Sequence, residues 1–269
     1  MKTIFITGAS SGIGKATAKL FANKGWQVIA TMRNPEKETE LAQIDKTALY
    51  ALDVTNKEQI ESTVTQVLTD FDSVDVVLNN AGYGLMGVFE ATCIDQIQRQ
   101  FQTNLFGLME ITRAFLPHYR KKKSGLFINV SSVGGFSTYP FTSLYHASKW
   151  AVEGFSESLS YELRELGIQI KLIEPGAVKT DLGSRSMEIA MPNNFPDYGE
   201  SVQKFMSAMQ SLDRTPATSE IIAKGIYDAT VDGKSQLRYP LGDGQEIFDL
   251  RKKLGDDGFI EMTQSKFFG

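Results

Sequence analysis

The chain has 269 residues, 42% of them apolar and 22% charged, with a formal net charge of −4, close to globular averages. Its cations are dispersed, which excludes a nucleic-acid footprint, since that would cluster lysine and arginine on one face. Cys93 is its one cysteine, so an intrachain disulfide and a cysteine metal site are excluded, and His118 and His146 cannot make a zinc site without carboxylate help.

The first apolar run, Thr3–Thr7, predicts a strand, and the pattern Gly12–Asn23 behind it predicts a helix. Strands follow at Gln27–Thr31 and Ala48–Leu52, then a helix over Lys57–Phe71 and a strand at Val74–Asn79. A long helix is expected over Asp95–Arg120, a strand at Leu126–Ser131, a helix over Ser143–Leu166 and a strand at Gln169–Ile173. A helix over Ser219–Val231 and a strand at Gln236–Tyr239 complete the pattern. Nearly every strand is a continuous apolar run, as expected when helices cover both faces of a sheet. Strand–helix alternation of this kind predicts right-handed crossovers and one doubly wound α/β domain built on a seven-stranded parallel sheet.

The basic run Arg120–Lys123 reads as a helix C-terminus, where the dipole favours cations. The irregular stretch Thr180–Thr215, with Pro192, Asn193, Asn194 and Pro196, reads as an insertion over about 181–215 that covers the ligand crevice. No run approaches the roughly 20 apolar residues of a membrane span. The N-terminus reaches Gly8 before a signal-type apolar stretch forms, so a cytoplasmic location is expected.

The first predicted strand runs into Thr7-Gly8-Ala9-Ser10-Ser11-Gly12-Ile13-Gly14 and then directly into a helix. Glycines there let the backbone approach a pyrophosphate, and the helix end offers free N–H groups and a positive dipole. Gly8, Ser10, Ser11, Gly12, Ile13 and Gly14 are therefore candidate cofactor contacts. The same residues match the G-x-S-x-G elbow of hydrolases, but no histidine follows His146 to complete a triad. A P-loop fails, because Ala9 and Ala16 occupy its glycine and hydroxyl positions.

With this turn stand Asp53-Val54, Asn79-Asn80-Ala81-Gly82, Asn104, Ser131-Ser132, Tyr145-x-x-x-Lys149 and Pro175-Gly176, in that order. Over residues 3–180 the chain thus resembles the short-chain dehydrogenase/reductase family. The segments Ala30–Arg33 and Ser132–Gly135 look like its branch of oestradiol 17β-dehydrogenases and retinol dehydrogenases. The resemblance implies that Asp53 and Val54 contact adenine, although an Asp or Thr here, Thr55 included, could instead cap a helix. It implies that Asn80, Ala81 and Gly82 pass beneath the cofactor ribose. Pro175, Gly176, Val178 and Thr180 would then meet the nicotinamide side, and Asn104 would hold a relay water. Ser132 matches the catalytic serine better than Ser131.

Tyr145 and Lys149 lie four residues apart on a predicted helix and share a face. An ammonium beside a phenol, with the charge of an oxidised nicotinamide, would favour the phenolate and suit it to acid/base work. Tyr145 is the candidate general acid/base, Lys149 its partner and a ribose ligand, and Ser132 the binder of the substrate oxygen. His146 points about 100° away around the helix and reads as non-catalytic. A non-catalytic NAD(P)-sensing protein on the same fold is the alternative; such proteins commonly lose the Tyr or Lys, which this chain keeps.

NAD-preferring proteins of this fold place an acid at the end of the second strand. Here Thr31 occupies that place and Arg33 lies two residues on, so NADP(H) is expected to be preferred, with NAD(H) possible. The pocket is expected between Leu85, Met86, Val133, Gly135, Phe136, Tyr139, Phe141, Met187, Met191, Phe195 and Tyr198, walls that suit a hydrophobic small molecule. A homodimer or homotetramer is expected through the helices at Asp95–Arg120 and Ser143–Leu166, the latter carrying the stripe Ala151, Phe155, Leu159 and Leu163.

Overall fold

The computed structural model describes residues 1–179, 187–190, 195–212 and 215–269. In chain order its elements are β1 (Thr3–Ile6), α1 (Gly12–Asn23), β2 (Gln27–Met32), β3 (Thr47–Ala51), α2 (Lys57–Asp70), β4 (Val76–Asn79) and β5 (Gly84–Gly87). Next come α3 (Ile94–Phe101), α4 (Gly107–Lys122), β6 (Gly125–Val130), α5 (Ser143–Arg164), β7 (Ile168–Pro175) and β8 (Met187–Ala190). The last are α6 (Gly199–Ser211), α7 (Ser219–Val231), β9 (Arg238–Leu241) and α8 (Gly244–Phe268).

Seven strands form one sheet in the order β3-β2-β1-β4-β6-β7-β9, every pair parallel, as the alternation predicts. The pleat divides each apolar strand between two cores. Ile4 and Ile6 face one with Val28, Ala30 and Ile128, under Phe21 of α1 and Ile226 of α7. Phe5, Ile29 and Phe127 face the other, under Val64 of α2 and Phe115 of α4. A buried polar ladder crosses the sheet interior: Asn79 Nδ2 donates to Asn129 Oδ1 at 2.9 Å, and Asn129 Nδ2 to Ser156 Oγ at 2.9 Å. Each amide nitrogen thus has a buried partner, while Asn79 Oδ1 has none among the described residues.

Four features differ from the sequence reading. The long helix expected over Asp95–Arg120 is two helices joined by a π turn at Gln102–Phe106. The irregular stretch contains a helix, α6, and a strand, β8, which pairs in parallel with β5 from Gly84 opposite Met187 to Gly87 opposite Ala190. A long final helix, α8, follows β9. The α5 stripe packs largely inward, Leu163 and Leu159 against one core and Ala151 and Phe155 against another.

The basic run ends α4 as expected, with Lys122 Nζ donating to Asp75 Oδ1 at 2.5 Å. Among the described residues, no helix is long and apolar enough to cross a membrane, and no three His, Cys, Asp or Glu side chains gather as a metal site.

Candidate active site

Strand order reverses between β1 and β4, and in an open parallel sheet a crevice forms there, at the carboxyl ends of the strands. The cleft at this edge encloses about 1570 Å³. Gly8, Ser10, Ser11, Gly12 and Ile13 line one end, with Arg33, Asp53 and Val54 beside them. Asn80, Ala81 and Gly82 lie along its floor; Ser132, Tyr145, Lys149, Pro175, Gly176 and Val178 line the other end. Gly14 and Asn104 do not line it, and Thr180 and Met191 lie outside the described residues.

The glycine turn is built by close approach. Gly8 and Gly12 have φ of +67° and +52°, the left-handed region that favours glycine. A Cβ on Gly14 would sit 2.5 Å from Asn80 Nδ2 and closer still to the Gly8 carbonyl oxygen. Asn80 braces the same turn, its Nδ2 donating to Thr7 O at 2.9 Å and Gly8 O at 3.1 Å. Thr7 Oγ1 accepts from the backbone N–H groups of Asn80 and Ala81 at 3.0 Å each. Ser11 precedes α1 in extended conformation without a side-chain cap bond, and no acid lies in the first turn. The helix therefore presents its first N–H groups and positive dipole end to the cleft.

Thr31 does not occupy the position the sequence count assigned to it. It is fully buried, its hydroxyl donating to Ile6 O at 3.0 Å and its carbonyl accepting from Ala9 N at 2.9 Å. Met32 and Arg33 face the cleft instead. Arg33 is exposed, and no carboxylate among the described residues pairs with it. Asp53 Oδ1 accepts from both the N–H (2.9 Å) and the hydroxyl (2.7 Å) of Thr55. The cap of α2 is neither of these residues but Asn56, whose Oδ1 accepts from Gln59 N at 2.8 Å.

At the far end, Tyr145 and Lys149 stand on the first two turns of α5. Lys149 is buried; its Nζ donates to Val130 O at 2.8 Å and lies 5.9 Å from the Tyr145 ring centroid. Desolvation lowers the Lys149 ammonium to about 8, opposed by the charge of Glu153. Burial pushes the Tyr145 phenol above its ordinary value, and contact with the Ser132 hydroxyl pulls it back. The chain's own groups thus raise this phenol rather than acidify it, because burial outweighs the Ser132 contact. Ser132 Oγ also accepts from Gly134 N at 3.0 Å.

His146 holds the serine loop from behind. Its Nε2 accepts from Tyr139 N at 3.0 Å, which leaves Nδ1 as the protonated nitrogen, 3.0 Å from Gly134 O. Burial lowers its pKa and keeps it neutral. Both nitrogens are used, in keeping with a non-catalytic side chain.

Asn104 sits in the π turn, a distortion common at functional sites. Its Oδ1 accepts from Tyr83 N at 3.0 Å, and its Nδ2 donates to Tyr83 O at 2.9 Å and to Ser148 Oγ at 3.2 Å. The amide ties the loop after β4 to α5, directly behind the cleft wall. A Cβ on Gly82 would come within 3.1 Å of it.

Of the expected pocket walls, Leu85, Met86, Val133, Tyr139 and Met187 reach the cleft. Gly135, Phe136, Phe141, Phe195 and Tyr198 do not. Phe136 packs on Phe248, Phe141 on Phe205, and Phe195 on Tyr198, whose hydroxyl donates to Glu90. The walls that sequence reasoning missed come from α6, with Phe205 and Met209, and from α8, with Phe267. The four-residue spacings of Phe205 to Met209 and of Phe259, Thr263 and Phe267 were the available signal. At the mouth, Glu188 of β8 accepts from Gln96 at 2.8 Å and pairs with Arg99 at 2.9 Å, joining β8 to α3.

A family model described as short chain dehydrogenase matches residues 2–189. The chain is 35% identical over 266 residues to the 3-ketodihydrosphingosine reductase of Bacteroides thetaiotaomicron, covering 98% of this chain and 97% of that protein. It superposes on a short-chain dehydrogenase from Streptomyces avermitilis with a TM-score of 0.84 and 34% identity, covering 98% and 95% of the two chains. Its similarity to ElxO, a structure with NADP bound, has a TM-score of 0.75 and 28% identity over 91% of this chain and 99% of that one. With the sheet order, the glycine turn and the Ser132, Tyr145 and Lys149 grouping in place, the chain belongs to the short-chain dehydrogenase family and is an oxidoreductase.

Proposed function

We propose that the chain transfers a hydride between NADP(H) and a hydrophobic carbonyl or secondary alcohol, with Tyr145 as general acid/base. One observation carries this reading: Ser132, Tyr145 and Lys149 close one end of a cleft whose other end is an uncapped helix N-terminus opened by Gly8 and Gly12. A dinucleotide fits the residues present. The free N–H groups of α1 would take the pyrophosphate, Asp53 and Val54 would flank the adenine, and Pro175, Gly176 and Val178 would meet the nicotinamide amide. Arg33, unpaired among the described residues, suits a 2′-phosphate. The NADP bound to ElxO supports this choice, and NAD(H) is the weaker alternative.

When bound, the nicotinamide supplies or accepts the hydride. Ser132 holds the substrate oxygen, and Tyr145 delivers a proton to it in reduction or removes one in oxidation. Lys149, fixed by Val130 O and lowered to about 8, carries enough ammonium near neutral pH to steady the phenolate. Asn104 positions the wall behind this group and would order the relay water. Phe205, Met209, Phe267 and Tyr139 make walls for a lipophilic substrate, in line with the sphingoid substrate named for the Bacteroides relative. A cytoplasmic homo-oligomer is part of the same reading.

Tyr145→Phe tests it. The variant should bind cofactor with affinity within about twofold of the parent while turnover falls roughly 10²–10⁴-fold, the usual contribution of a positioned acid/base. Ordinary turnover in that variant refutes the mechanism.

A further inference from the structure

Beneath the catalytic end of the cleft lies a group of carboxylates that the proposed reaction does not use. Glu174 of β7 is completely buried, and Glu153, one helical turn beyond Lys149 on α5, is nearly so. Arg238 of β9 reaches both: its Nε lies 3.1 Å from Glu153 Oε2 and 3.4 Å from Glu174 Oε1. Its Nη2 pairs with Glu157 Oε2 at 2.7 Å, nearer the surface.

The charges do not balance. One guanidinium faces three carboxyl groups, two of them in the dry interior, where an uncompensated anion is strongly disfavoured. The hydrogen bonds do not balance either. Both oxygens of Glu174 and Oε1 of Glu153 are buried without a hydrogen-bond partner, as is the hydroxyl of Ser131. Yet these groups border one another: a Cβ on Gly135 would lie 2.8 Å from Ser131 Oγ and 3.0 Å from Glu153 Oε1, and the carboxyls of Glu153 and Glu174 come within hydrogen-bond reach of each other. A proton on one carboxyl removes one negative charge and lets that carboxyl donate to the other.

We propose that Glu153 and Glu174 hold one proton between them, and that the single negative charge left on the pair keeps Lys149 an ammonium, making the pair a positioning device for that lysine. The inference rests on the role of Lys149 proposed above.

The surroundings agree. From α5 the pair faces Lys149, from just after β6 Ser131, and from β9 Arg238, whose outer nitrogen pairs with Glu157. On β7 and β9, Lys171 and Tyr239 turn away onto Asp232. Just before α8, Asp243 Oδ1 accepts from Ala177 N, and on α8 Arg251 lies over Trp150 and Phe259. Lys149 and Arg238 are thus the cations that the pair addresses. Burial and the neighbouring Glu153 charge push Glu174 well above the carboxylate range, against the pull of Arg238. The charge of Glu153 in turn opposes the desolvation that lowers Lys149.

The test reads the ammonium directly, by pulse labelling with acetic anhydride across pH and mass spectrometry of the Lys149 peptide. In Glu174→Gln or Glu153→Gln an amide replaces the protonated partner and the charge persists, so the labelling midpoint of Lys149 should move by less than about 0.5 pH unit. In the double variant the charge is gone, and the midpoint should fall by about one unit or more. An unmoved midpoint in the double variant, or a single variant that moves it as far as the double, overturns the proposal.

Should the double variant fail to fold, infrared titration of the unmutated protein decides. It should show the carbonyl stretch of a protonated buried carboxylic acid near about pH 7 that Glu174→Gln lacks, and absence of that band refutes the shared proton. Labelling does not depend on turnover, so failure here is distinct from failure of the oxidoreductase reading, which Tyr145→Phe tests by activity.

Discussion

Replacing Arg33 with alanine removes the guanidinium that lines the glycine-turn end of the cleft, where the adenosine ribose would lie. Two unit charges about 4 Å apart attract by ~1 kcal/mol in water and ~4 kcal/mol at the effective dielectric of a protein surface. Arg33 is exposed, so screening and side-chain ordering pull the value towards the lower end. Bidentate geometry on a phosphate raises it again. A net of about 1–2 kcal/mol corresponds to roughly 5–30-fold weaker NADP(H) binding, with NAD(H) binding unchanged within about twofold. The effect should shrink as salt is raised, because the pair is solvent-exposed. Calorimetric titration of both cofactors into parent and variant, at two ionic strengths, measures it. Equal weakening of NADP(H) and NAD(H), or tighter binding of NAD(H) by the parent, would refute the assignment of Arg33 to the phosphate.

Gly14→Ala forces a methyl group against Gly8 O and Asn80 Nδ2. Overpacking of this kind costs about 1–3 kcal/mol, which for a chain of this size lowers Tm by roughly 2–5 °C. Cofactor affinity should fall with it, since the turn must move; calorimetry that finds neither change would show that the turn yields freely. His146 supplies a pH dependence. Burial lowers its folded pKa below 6.5, so the fold favours the neutral ring. Its stabilising contribution is complete above about pH 6.5 and declines as pH falls from there through the folded value. Urea midpoints compared at about pH 7.5 and 5.5 should therefore fall further in the parent than in His146→Asn, and equal losses would contradict the neutral clamp on Tyr139 N and Gly134 O.

Much of the site was legible because it depends on short spacings. Four residues place Tyr145 and Lys149 on one face of α5, and the glycine turn follows β1 directly. Other parts were obscured by local irregularity. In α8, Gly255 has φ +69° and ψ −178°, which breaks the helical period midway, so the spacing that delivers Phe267 to the cleft runs only from Phe259 onward. The π turn at Gln102–Phe106 lies inside a helical pattern that sequence periodicity reads as continuous. Thr31 is packed inside β2, whereas Met32 and Arg33 stand at the strand's carboxyl end, where the sheet edge opens on the cleft, a difference that counting from the glycine motif could not resolve.

By itself, then, the sequence determined the alternating architecture, the glycine turn ahead of α1 and the pairing of a phenol with an ammonium, all set by residues within a few positions of one another. Only the tertiary structure decided which aromatic side chains wall the cleft and which pack against each other. It alone brought Glu153 and Glu174 to Arg238, from α5, β7 and β9. Short-range spacing is written into helix and strand geometry, whereas burial and the meeting of distant charges arise only when the sheet has assembled and excluded water.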